Sequence, residues 1–88
     1  MGARLSALKE TVTVQDILVD ARGHRCPVPT LRLRRAWERA PAGAVLRLLA
    51  DDPLARIDAP YFAAQVGSEV LEVTADLGVI TVRIRKPD

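Results

Sequence analysis

Cys26 is the one cysteine in the chain. It heads the run Cys26-Pro27-Val28-Pro29, after a polar loop and outside any apolar stretch. The N–H groups of a helix's first turn have no intrahelical partner, so prolines there remove no hydrogen bond. The spacing therefore predicts a helix with Cys26 as its cap, Pro27 at the first helical position and Pro29 two further on. In that arrangement the N–H groups of Val28 and Thr30, with the positive end of the helix dipole, face the sulfur. Arg25 and Arg22 push the same way, so the thiol pKa is expected below the free-cysteine value of about 8.5. Free cysteines are usually small buried hydrophobes, but the polar surroundings of Cys26 favour a reactive thiol. His24 points the same way as Cys26 if the loop is extended. No acid that would orient it is evident, so packing or partner contact is expected of it before catalysis.

The other chemistry-bearing groups are cations. Arg22, Arg25, Arg32, Arg34, Arg35 and Arg39 lie in one short segment, opposed only by Glu38, although the net charge of the chain is only +2. At helical spacing Arg32, Arg35 and Arg39 make a stripe, either a solvated face or a surface for an acidic protein. With Arg22 they are the expected partner contacts. Three aromatic residues in all leave little to stack on bases, so direct nucleic-acid binding is not expected. A single cysteine excludes an internal disulfide, and no Cys/His cluster suggests zinc. No metal or cofactor is expected, and a free thiol suits a reducing compartment such as the cytoplasm. Met1–Leu18 lacks the continuous apolar segment of a signal peptide, and nothing later reaches membrane-spanning length, so no membrane role is expected.

The elements that must position these groups follow from periodicity and punctuation. Residues 1–13 show no sustained period and read as a flexible segment before a domain over 14–88. Asp16–Asp20 reads as a strand, and 27–40 as a helix with Val28, Leu31, Ala36, Trp37 and Ala40 on its apolar side. Leu33 fits neither that side nor the arginine stripe cleanly. Trp37 is most simply core. A strand over 44–50 comes next, and Asp51-Asp52-Pro53 gives a helix-start signal. That second helix, to Val66, is expected to break near Pro60, with Asp58 capping its second half. Strands over 69–74 and 79–85 form a hairpin across Ala75-Asp76-Leu77-Gly78. The order β-α-β-α-β-β predicts an α+β two-layer sandwich, a four-stranded mixed sheet with two helices on one face. A parallel first pair would bring the Cys26 loop and the Asp51-Asp52 turn to one sheet edge, placing an acidic rim near the thiol.

The run Asp20-Ala21-Arg22-Gly23-His24-Arg25-Cys26-Pro27-Val28-Pro29 resembles the signature of the TusA/SirA family of bacterial sulfur-carrier proteins. The likeness continues through Pro41-Ala42-Gly43, Ala50-Asp51-Asp52-Pro53, Ala59-Pro60-Tyr61-Phe62 and Arg83-Ile84-Arg85-Lys86, covering about residues 14–86. It implies a βαβαββ sandwich in which Cys26 accepts a persulfide sulfur from a cysteine desulfurase or similar donor protein. It also implies relay to a downstream acceptor protein, towards tRNA thiolation, molybdenum-cofactor assembly or sulfur oxidation. Many relatives have a polar residue where this chain has Val28, and some have a second cysteine where it reads Phe62-Ala63-Ala64. A resolving thiol is thus absent, so any persulfide must leave by attack from a partner. The rival expectation is a non-catalytic regulatory or binding module with a redox-sensing cysteine.

Overall fold

The computed structural model describes residues 15–88, so the segment expected to be flexible, residues 1–13, lies outside it. Six elements follow in order: β1 (Asp16–Asp20), α1 (Val28–Arg39), β2 (Val45–Ala50), α2 (Ala55–Gln65), β3 (Glu69–Asp76) and β4 (Val79–Arg85). They form one four-stranded sheet in the order β1-β2-β4-β3. β1 and β2 are parallel, while β4 runs antiparallel to both its neighbours. The two-layer mixed sheet expected from the sequence is the one found.

Alternation along the strands decides which sheet face the helices cover. In β4, Ile80, Val82 and Ile84 are buried while Thr81, Arg83 and Arg85 are only half so. Across the ladder Ile84 meets Leu46, Val82 meets Leu48 and Ile80 meets Ala50, and these rows build the core. Leaving water stabilises each fully buried Leu, Val or Ile by about 1.5–3 kcal/mol, which gives a chain with so few aromatic residues its interior. α2 lies on this face through Ala55, Ala59, Phe62 and Ala63, at i, i+4, i+7 and i+8. Three of the four are alanine, so the helix backbone rides close to the sheet.

Three readings are corrected. α1 buries Pro29 and Leu33, with Ala40 just past its end, not Leu31 and Val28, which are 56% and 36% exposed. The inner stripe of the helix is centred on Leu33, and Leu31 is turned well away from it. α2 is a single helix through Pro60, because its packed alanine face holds it together across the missing N–H. Asp58, with no second half to cap, is free to turn toward Cys26. The hairpin is tighter than expected, since β3 runs on to Asp76. Leu77 and Gly78, both with positive φ, form a two-residue turn, a geometry that matches the twist of the strands.

Trp37 is partly buried in the core as expected. Its ring stands edge-on to Phe62 with centroids 6.0 Å apart, and its Nε1 donates to Ser68 Oγ at 2.7 Å. Lys86 Nζ lies 4.5 Å from the centre of the Trp37 ring and donates to the carbonyls of Trp37 and Ala40 at 2.9 Å each. A cation thus closes the C-terminal end of α1, where carbonyls lack partners. Among the described residues no helix is long and apolar enough to cross a membrane.

Candidate functional site

Parallel pairing of β1 and β2 makes both strands end at the same sheet edge, so the loops leading into α1 and α2 meet there. The meeting is held by two aspartates. Asp51 accepts the Gly23 N–H on both carboxylate oxygens, at 3.1 and 2.9 Å. Asp52 accepts the Leu54 N–H on Oδ1 at 3.0 Å, in the turn before α2, and the Cys26 N–H on Oδ2 at 2.9 Å; the cap of α2 is Leu54, without a side-chain cap bond, and not an aspartate as the sequence suggested. One carboxylate thus holds both the turn that leads into α2 and the backbone of the only cysteine. Both N–H groups, with help from nearby Arg25, hold the Asp52 pKa below the usual carboxylate value. Gly23, with φ +85, supplies the left-handed turn that lets the loop reach Asp51.

The helix start differs from the expectation. Pro27 is the cap and Val28 the first helical residue, so Cys26 lies one position further out. The Leu31 N–H donates to the Pro27 carbonyl at 3.0 Å, while the Val28 N–H is taken by the Arg25 carbonyl at 2.9 Å. The Cys26–Pro27 peptide is cis. With Cys26 outside the cap and the Val28 N–H already taken, neither prolines nor dipole dominate the thiol's surroundings. Burial pushes the Cys26 thiol up to about 11, and the carboxylates of Asp52 and Asp58 add to the rise. Asp58 reaches this site from the first turn of α2. The expected lowering of the thiol pKa is reversed: the anions around Cys26 outweigh the helix start, and Arg25 serves Asp52 instead. Cys26 itself is half-buried, at the rim of a hollow of about 630 Å³ shared with Gly23, His24, Arg25 and the turn from Asp51 to Leu54.

The arginines divide. Arg22 is bound to Asp20 through Nε at 2.9 Å and Nη2 at 2.7 Å, an exposed pair that draws the Asp20 pKa down to about 2. Arg32, Arg35 and Arg39 line a second groove of about 570 Å³, between α1 and the edge strand β1, floored by Leu18, Val28 and Leu31. Arg34 turns to the other side of α1, its guanidinium 5.0 Å from the centre of the Phe62 ring.

Residues 17–86 match the family described as Sulfurtransferase TusA. The chain belongs to the TusA family. A sulfur carrier protein TusA of Pseudomonas putida is 37% identical over 71 residues, 81% of this chain and 89% of that one. A putative sulfur carrier protein of Archaeoglobus fulgidus is 41% identical over 54 residues, covering 61% and 70% of the two chains. In structure, the SirA-like protein of Desulfitobacterium hafniense matches with a TM-score of 0.72 at 34% identity, covering 82% of this chain and 99% of that chain. In this TusA-family chain sequence reasoning also missed Asp58 as a neighbour of the thiol, reading it as a mid-helix cap. Its signal was available: it lies one turn into a helix that starts at the same sheet edge as Cys26. Among the described residues no group of His, Cys, Asp and Glu is arranged to hold a metal ion.

Proposed function

We propose that this TusA-family chain is a sulfur carrier and that Cys26 bears the sulfur. The observation that carries the reading is that Asp52 fixes the backbone of the only cysteine where the loops into both helices meet, at the rim of a hollow. The names of the relatives support it. Loading is an exchange between thiol and persulfide: the Cys26 sulfur attacks the outer sulfur of a donor persulfide. A new S–S bond forms as the donor's S–S bond breaks, the electron pair leaves on the donor's own sulfur, and that sulfur takes the proton given up by Cys26. No oxidant is consumed. Delivery is the same exchange in reverse, with an acceptor cysteine as attacker.

A thiol held protonated among carboxylates reacts slowly alone, so the donor's active site must draw the proton away on docking. Arg32, Arg35 and Arg39 suit an acidic face on that donor, with the apolar floor of their groove as its seat. Arg22, already paired with Asp20, has a lesser part. We assign the donor to the cysteine desulfurase type, the setting to the cytoplasm, and the acceptor to a protein of tRNA thiolation, molybdenum-cofactor assembly or sulfur oxidation. The test is mass spectrometry after incubation with a desulfurase and cysteine. The chain should gain one sulfur mass at Cys26, and Cys26→Ala should gain none. No adduct with several donors would leave a binding module with an incidental thiol as the better reading.

A further inference from the structure

Among the described residues, one buried side-chain polar atom has no hydrogen-bond partner, the hydroxyl oxygen of Thr30. Orphans of this kind are rare in folded proteins and call for a cause. Thr30 is the third residue of α1, the position from which a side chain reaches back to the N–H of the helix cap. Here the cap is Pro27, which has no N–H. The hydroxyl therefore has no backbone donor to meet, and the residue just beyond Pro27 is Cys26.

The packing of the two helices places Thr30 on the side of α1 that faces α2. Arg34 and Trp37 both contact Phe62 of α2. The helices start from one sheet edge, so they run side by side in the same direction. One turn toward their starts, Arg34 becomes Thr30 and Phe62 becomes Asp58, since residues four apart share a helix face. Asp58, like Asp52, lies close enough to Cys26 for its carboxylate to raise the thiol. Thr30, Asp58 and Cys26 thus share one seam. A persulfide extends Cys26 by an S–S bond of about 2.05 Å, and its outer sulfur can accept a hydrogen bond.

We propose that Thr30 is a positioning residue for the carried sulfur, its hydroxyl donating to the outer sulfur of a Cys26 persulfide lodged between α1 and α2 beside Asp58. The proposal rests on the reading of Cys26 as the sulfur-bearing residue. It gives the orphaned hydroxyl its partner only in the loaded state, so the chain holds its cargo more firmly than a bare exposed cysteine would.

The experiment loads the wild type, Thr30→Val and Thr30→Ser with a persulfide donor, then follows loss of the sulfur to a fixed concentration of glutathione by mass spectrometry. Thr30→Val, which keeps the shape and removes the hydroxyl, should lose its sulfur roughly fivefold faster, the effect of one net hydrogen bond. Thr30→Ser should stay near the wild type. Unloaded Thr30→Val should melt no lower than the wild type, because the hydroxyl has no partner in that state. Equal loss from wild type and Thr30→Val would overturn the proposal while leaving Cys26 as carrier. Failure of the wild type to load would overturn the carrier reading and the proposal with it.

Discussion

At the scale of single residues, Cys26 is governed by its burial and by the sign of its neighbours. Burial disfavours the thiolate and the carboxylates of Asp52 and Asp58 add to it, so the thiol sits at about 11. In the unpartnered protein its alkylation rate should keep rising above pH 8.5 without a plateau near neutrality. Asp58→Asn should bring the midpoint down, since it removes a like charge and keeps the shape. A wild-type midpoint below 8.5 would mean that the carboxylates do not face the sulfur. The same shift sets a stability window. The folded pKa is raised, so the group's contribution is intact below the ordinary thiol range and is lost as pH climbs toward 11. The sequence singled out Cys26 but pointed to the wrong sign for the shift of its thiol. Cys26-Pro27-Val28-Pro29 speaks only of the local helix start, whereas the charges that decide the outcome arrive from a turn 26 residues later and beyond. A one-residue shift of the cap, with the Val28 N–H taken by Arg25, removed the local stabilisation that the motif suggested.

At the scale of elements, the junction of the two helix starts depends on one charge. The Asp52 pKa is depressed by the Leu54 and Cys26 N–H groups. Its contribution is therefore present above the ordinary carboxylate value of about 3.9 and is lost as pH falls through the lower folded value. Amide exchange at Leu54 and Cys26 should lose protection together in that acid range, ahead of the core strands. Asp52→Ala should lower Tm by a few degrees, since two backbone N–H groups lose their acceptor, and uncouple the two amides from acid. If the two exchange independently, the shared carboxylate does not join them. This part was half legible. Asp51-Asp52-Pro53 announced a helix start, and parallel pairing put it beside the Cys26 loop. Which oxygen would serve which N–H is a matter of geometry that no spacing rule contains. Pro60 misled for the opposite reason: its penalty is local, and the alanine face that overrides it acts through packing.

At the scale of the whole molecule, the strand and helix order was plain because each element carries its own period and its own punctuation. The arginine stripe was equally plain, and its meaning is tested by charge reversal. Exposed charges steer association far more than they stabilise a fold. Arg32→Glu, Arg35→Glu and Arg39→Glu together should leave Tm nearly unchanged and slow sulfur transfer from a partner by tenfold or more. Raising salt should slow the wild type and spare the variant. Equal rates and equal salt response would make the stripe a solvated face. The alanines beneath α2 have a further consequence. Ala55, Ala59 and Ala63 are wholly shielded from solvent, yet they set how near the sheet the helix rides and so how near Asp58 comes to the sulfur. Heredity can therefore adjust the acidity of this thiol from underneath: one methyl group more or less, where no partner ever touches, retunes a carrier whose visible surface has not changed.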